Sequence, residues 1–279
     1  KVYRQAVLKH AFEGKLTEEW RKLDPPSQTA EELLKQIKAE REKQAKEQGK
    51  KLKEIAALTD EELGELPKLP EGWKWVKIES LKANEAHALK AGPFGSSLKK
   101  EFYASTGYKI YGQEQVIADD ATIGNYYIDE ERFNSLISCR IRPQDILISL
   151  VGTIGKVLIL PEQVEEGIIN PRLIKITLNQ KSYLSKFFKY YFESSFLKSL
   201  YSMESKGTTM DVLNLGIIQD LPFPLCSLTE QDEIINEIES RLSVCDKLEE
   251  TIQDSLKQAE ALRQSILKKA FSGELMKEE

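Results

Sequence analysis

Histidine and cysteine are scarce in this sequence, with two of the first and three of the second in 279 residues. Cys139, Cys226 and Cys245 show no metal-ligand spacing and leave one unpaired in any disulfide scheme, so a reducing cytoplasm is the expected setting. Long apolar runs are missing as well. The longest nearly apolar stretch, residues 146–160, is broken by Lys156 and two glycines and is too short to span a bilayer. The opening residues KVYRQAVLKHAF lack the continuous apolar core of a secretory signal, and no membrane partner is expected. A dominant charge of one sign is absent too. The net charge is −5, but residues 71–225 carry 18 basic and 18 acidic side chains, while residues 226–279 carry 7 and 13. The acidic excess therefore belongs to the C-terminal segment, and bulk charge neither supports nor excludes nucleic acid as a partner of the central region.

What is present is a repeat. RQAVLKHAFEGKL at residues 4–16 and RQSILKKAFSGEL at residues 263–275 share 8 of 13 residues at a constant offset of 259. Leu8, Ala11 and Phe12 in the first copy, and Leu267, Ala270 and Phe271 in the second, fall on one helical face. Gly14 and Gly273 then predict a left-handed C-terminal cap. The second copy ends a long helical pattern that starts at Thr229, where Thr229 and Asp232 resemble a capping box. From Ile235 to Ile266 its apolar stripe advances 31 residues in nine steps, close to a coiled-coil period. The first copy has almost nothing before it and the chain begins with Lys, which predicts a fragment lacking an N-terminal portion with the matching helix.

Between the repeats lie two unlike regions. Residues 24–70 form a polar connector with a charged helix over residues 31–53, whose mixed charges predict a solvated face. From residue 71 short β-like runs appear at residues 74–78, 107–111, 146–151, 156–160 and 173–178. An aromatic-rich helix is predicted over residues 183–203, and its Phe187, Phe188, Tyr191 and Phe192 are expected in the core. Leu-Pro-Phe-Pro at 221–224 marks a boundary before the long helix.

A catalytic inventory is hard to assemble. His10 is replaced by Lys269 in the second repeat, and His87 has no acidic or thiol partner at a recognisable spacing. Gly152-Thr-Ile-Gly-Lys156 imitates a phosphate loop but is too short, with Val157 where a Ser or Thr would bind Mg²⁺. Asp24-Pro-Pro-Ser27 lacks the aromatic of the amino-methyltransferase motif that stacks on a flipped base. Ser96-Ser-Leu-Lys99 has the Ser-x-x-Lys spacing of penicillin-binding enzymes without the companion motifs. Each reads as a loop.

Seven strings carry a family likeness. They are LPEGWKW (69–75), GPFGSSL (92–98), LVGTIGK (150–156), NPRL (170–173), GTTM (207–210), LPFPL (221–225) and LTEQ (228–231). In this order and spacing the chain resembles the specificity subunit of a type I restriction-modification system, and the likeness runs over essentially its whole length. The resemblance implies an α+β chain, with one mixed α/β target-recognition domain followed by a long coiled-coil helix and preceded by a helical connector. Its expected parts are the end of a central helix (1–23), the connector (24–70), the recognition domain (71–225) and the distal helix (226–279). It implies a subunit without a catalytic site or cofactor of its own, which reads one half of a bipartite site in double-stranded DNA. Separate DNA adenine methyltransferase subunits would bind S-adenosylmethionine, and restriction subunits would use ATP, translocate and cut. The helices would be docking surfaces for both, and the apolar faces of both repeats would be the positions at which assembly is broken.

The expected DNA contacts are polar and basic loop residues. Lys99, Lys100, Thr153, Lys156, Lys206, Thr208 and Thr209 are suited to phosphates. Gln113, Gln115 and Arg172 are suited to bidentate base contacts, Gln with adenine and Arg with guanine. A helix over residues 229–271, roughly 60 Å long at 1.5 Å per residue, would act as a ruler between two DNA-reading domains. Other readings stay open: a coiled-coil scaffold with an α+β protein-interaction domain, a freestanding enzyme with a cluster assembled from distant residues, and a half-length subunit that pairs with itself through the distal helix.

Overall fold

The structure, a computed structural model, describes residues 2–49, 51, 54–204 and 213–273. It divides into two units, Lys1–Ile235 and Asn236–Glu279. The chain starts with α1 (Val2–Phe12), α2 (Glu18–Leu23), α3 (Ala30–Glu47) and α4 (Asp60–Gly64). Next come β1 (Lys74–Lys77), α5 (Ile78–Leu81), β2 (Leu89–Ala91), β3 (Tyr108–Tyr111), α6 (Gln113–Ala118), β4 (Tyr127–Ile128) and α7 (Glu130–Ser135). Strands β5 (Ile146–Ser149), β6 (Val157–Ile159), β7 (Gly167–Ile169) and β8 (Leu173–Ile176) precede α8 (Ser185–Phe192), α9 (Ser195–Glu204) and α10 (Leu215–Asp220). Strand β9 (Pro222–Leu225) and the 44-residue helix α11 (Leu228–Phe271) close the chain. No described helix is long and apolar enough to cross a membrane.

The described strands form three sheets: β1-β9, β2-β8-β5-β6 and β4-β3-β7. The second is antiparallel throughout, whereas β3 pairs antiparallel with β4 and parallel with β7. Every residue of β5 and β8 is buried, so their sequences read as continuous apolar runs instead of alternating ones. The two exceptions are Ser149, whose hydroxyl is bonded within the following turn, and Lys175, which is paired with Asp145 at 3.4 Å. One core joins the two larger sheets: Ile110, Tyr111, Ile168 and Ile169 pack with Leu147, Leu158 and Leu173, and Val116 of α6 joins them.

The Leu-Pro-Phe-Pro segment before the long helix is not a loop: Pro222–Leu225 form strand β9. Pro222 and Pro224 cannot donate to a ladder, but among the described residues β9 has a neighbour only in β1, an edge position where proline is tolerated. The long helix begins one residue earlier than expected, and Ser227 caps it in place of Thr229. The Ser227 hydroxyl accepts from the Glu230 N–H at 3.1 Å. The connector helix α3 is not a free solvated rod. Its Ala30, Leu33, Ile37 and Arg41 lie on one buried face, and the Arg41 guanidinium donates to the Glu79 carbonyl at 2.7 Å. Lys53, the expected end of that helix, lies outside the described residues.

The aromatic-rich segment is two helices, not one: the Ser194 hydroxyl accepts from the Leu197 N–H at 3.3 Å at the start of the second, and Gln5 of the first repeat copy stands at the break. Gln5 Oε1 accepts from the N–H of Ser195 at 2.6 Å, and Gln5 Nε2 donates to the Glu193 carbonyl at 3.5 Å. The four aromatics expected in the core of this segment are fully buried. Phe12 of α1 sets its ring edge-on against Phe187 and Tyr191, with centroids 5.2 and 5.0 Å apart. The first repeat is thus a docking element used within the chain, with Val7, Leu8, Ala11 and Phe12 buried.

Both copies nevertheless end alike. Gly14 and Gly273 take φ of +69° and +73°, and their N–H groups donate to Ala11 and Ala270 at 3.0 and 3.2 Å. In the second unit the counterparts Leu267 and Phe271 are exposed, together with Val244, Leu248, Ile252, Leu256, Leu262 and Ile266.

Candidate nucleic-acid interface

Four loops converge at one end of the two larger sheets. The β5–β6 hairpin turns through Gly152 and Gly155, whose φ of +72° and +71° suit glycine. Ser149 ties this turn together, because its hydroxyl donates to the Thr153 carbonyl and accepts from the Lys156 N–H. Thr153 is left exposed at the tip. The β7–β8 turn, residues 170–172, lies alongside. The Leu150 N–H donates to the Arg172 carbonyl at 3.0 Å, and the Asn170 carboxamide oxygen accepts from the Arg172 N–H at 2.9 Å, leaving the guanidinium exposed. The loop after β3 brings in Gln113, whose amide donates to the Val151 carbonyl. The loop after β2 approaches through Gly92. A Cβ there would lie 1.9 Å from the Asn170 carbonyl oxygen, so no other residue fits without moving the turn.

Helix α9 supports the hairpin from below. The Tyr201 hydroxyl fills the space a Gly155 Cβ would need, and burial pushes that hydroxyl up to about 12. Lys156 reaches Glu193 at 3.9 Å. Lys198 of α9 lies near both, and its ammonium is held below the usual lysine range, first by burial and further by the charge of Lys156, against the opposing pull of Glu193. Sequence reading missed Lys198, because only the α9–hairpin packing brings it near Lys156.

The expected contact residues therefore separate. Gln113, Thr153, Lys156 and Arg172 are brought together. Lys99 and Lys100 are exposed on the loop that leaves Gly92, with Lys99 turned 3.5 Å from Glu101, and among the described residues no bond ties them to the other three loops. Gln115 is withdrawn from the base-reading set, since it is fully buried and both ends of its amide are used. It accepts from the Gly112 N–H at 2.8 Å and donates to the Ile123 carbonyl at 3.0 Å, holding the start of α6 to the following loop. Lys206, Thr208 and Thr209 lie outside the described residues. Among the described residues no group of three His, Cys, Asp or Glu could hold a metal ion.

A sheet framework that projects polar loops from one end, followed by a long helix, defines a class of recognition modules, and the comparisons specify which. Residues 70–258 match the type I restriction modification DNA specificity domain, and the chain belongs to that family. It is 27% identical over 281 residues to the type I restriction enzyme EcoDI specificity subunit of Escherichia coli, an alignment covering 99% of this chain and 54% of that subunit. A chain solved in a study of complex assembly and conformational transition of the type I R-M system superposes with a TM-score of 0.57. That alignment is 17% identical and covers 98% of this chain and 58% of that one. The HsdS subunit from Thermoanaerobacter tengcongensis gives a TM-score of 0.51 at 19% identity, covering 88% of this chain and 56% of that one. The chain therefore spans 54% to 58% of the length of these three relatives.

Proposed function

We propose that this chain is a non-catalytic DNA-reading module that recognises one half of a bipartite sequence through the four-loop end of its recognition domain. The observation that carries the reading is the convergence of Gln113, Thr153, Lys156 and Arg172 on that end, from loops separate in sequence. Lysine and threonine there suit phosphate oxygens, while an exposed arginine on a rigid turn suits the O6 and N7 acceptors of guanine. Lys99 and Lys100 extend the basic character along the loop after Gly92. Family membership supports the same role.

The proposed partners are double-stranded DNA, adenine methyltransferase subunits that hold S-adenosylmethionine, and a restriction subunit that uses ATP. The distal helix would dock through its own exposed row, Leu248, Ile252, Leu256, Leu262 and Ile266, which has coiled-coil spacing and calls for a partner helix. Its repeat copy carries Gln264, Leu267, Ala270 and Phe271, counterparts of the residues by which α1 seats on the α8–α9 break. We infer that this copy seats on an equivalent break in a second recognition domain, in the same subunit or in another copy of the chain.

Two substitutions separate the proposed roles. Arg172→Ala should weaken binding of the preferred duplex by about 1–3 kcal/mol and relax preference at one base pair. Lys156→Ala should weaken all duplexes alike and reduce the slope of log affinity against log salt by about one. Fluorescence anisotropy of the assembled complex over a salt series reads both. Unchanged affinity, preference and salt slope in both variants would remove the loop end as the reading surface.

A further inference from the structure

The loop end contains a carboxylate that a surface facing phosphates should not tolerate without a reason. Glu114 is exposed in the first turn of α6, and among the described residues no hydrogen bond or ion pair engages it. Its position is nevertheless built. Glu114 Oε2 and Asn170 Nδ2 lie 2.5 and 2.8 Å from the place a Cβ of Gly112 would occupy, so that glycine leaves room for an acceptor and a donor side by side. Gly124 approaches from the other side, with Glu114 Oε1 3.8 Å from the place of its Cβ. The same Gln115 amide that binds Gly112 and Ile123 fixes the turn on which both glycines sit. Gln113, the neighbouring residue, is held to Val151, so the start of α6 is tied to the β5–β6 hairpin.

An acceptor-only group beside DNA is repelled by phosphate oxygens and by the N7 and O6 acceptors of guanine. It is favoured by one feature of the major groove, an exocyclic amino group. We propose that Glu114 is a specificity-determining residue that accepts a hydrogen bond from the amino group of a cytosine or adenine, while Asn170 donates to the adjoining acceptor. The proposal rests on the DNA-reading role above and deepens it. It works partly by exclusion, since guanine at that position would set its acceptors against a carboxylate, and selectivity often needs such a repulsive element. Nothing in the local sequence marks Glu114, because a glutamate in a helix's first turn is ordinarily placed there by the helix dipole.

The test selects bound duplexes from a randomised pool, using the full chain assembled with its modification subunits, in wild-type, Glu114→Ala and Glu114→Gln forms. Expected is a position at which wild type takes cytosine or adenine and rejects guanine. There Glu114→Ala should lose roughly tenfold or more of the discrimination, and Glu114→Gln, now carrying a donor, should admit guanine. A second measurement needs no variant. Wild-type protein should bind roughly tenfold more weakly when that base is replaced by its analogue without the amino group, purine for adenine or 2-pyrimidinone for cytosine, and the analogue that matters identifies the base. Unchanged preference in both variants and with both analogues would overturn the assignment. So would a uniform rise in affinity for all sequences, or a change confined to melting temperature, as a helix-dipole role predicts. A wild-type complex that selects no sequence would instead remove the DNA-reading role on which this rests.

Discussion

Glu230→Ala is expected to destabilise the recognition unit by about 3–5 kcal/mol, among the largest losses any single substitution in this chain should produce. Glu230 sits in the first turn of α11 and is 1% exposed. Its carboxylate accepts from the Thr17 hydroxyl at 2.8 Å, from the Trp73 indole N–H at 2.8 Å and from the Arg21 guanidinium. Arg21 in turn donates to the Gly14 carbonyl, the cap of the first repeat. One side chain thus ties together the end of α1, helix α2, the approach to β1 and the start of α11. Removing it strands a mostly buried guanidinium and two buried donors, and an uncompensated buried charge costs far more than the pair contributes. Urea denaturation of wild type and variant would measure the loss. Hydrogen exchange should show residues 2–23 opening first. A loss below about 1 kcal/mol would mean that the network behaves as a surface ion pair.

Phe12→Ala is the second. Phe12 is 6% exposed and its ring meets Phe187 and Tyr191 edge-on. Truncation should cost about 3–5 kcal/mol, from lost transfer energy and from a cavity between α1 and α8. The repeat supplies a built-in control. Phe271 occupies the same place in the second copy but is 89% exposed, so Phe271→Ala should lie within about 0.5 kcal/mol of wild type. Where Phe271 should matter is assembly, which sedimentation with partner subunits would read. Equal destabilisation by the two substitutions would contradict the assignment of one copy to packing and the other to docking.

How much could be read beforehand follows from which signals are local. The β5–β6 hairpin was legible because two apolar runs flank Gly152 and Gly155, and the left-handed caps at Gly14 and Gly273 because a helical face ends on glycine. Helix α11 declared itself by an uninterrupted stripe. Strand β9 was hidden by its prolines, which an edge strand tolerates. The break between α8 and α9 falls at Ser194, a capping serine inside an apolar stripe, and the Gln5 that docks on it is distant in sequence. In the candidate site, the exposure of Arg172 and Thr153 was legible from their loops, whereas Gln115 misled because a buried capping glutamine and an exposed one look alike in sequence. The Glu230 network and the position of Glu114 depend on distant segments, and no local pattern announces them.

The central claim is that residues 71–225 read DNA sequence. The most direct measurement exchanges that segment for the corresponding segment of a relative and maps adenine methylation, or duplex preference, in the assembled complex. The account predicts that one half of a bipartite motif changes to that of the donor, while the other half and the spacing between them stay fixed. A motif unaltered by the exchange, or complete loss of preference with the complex still assembled, would contradict it.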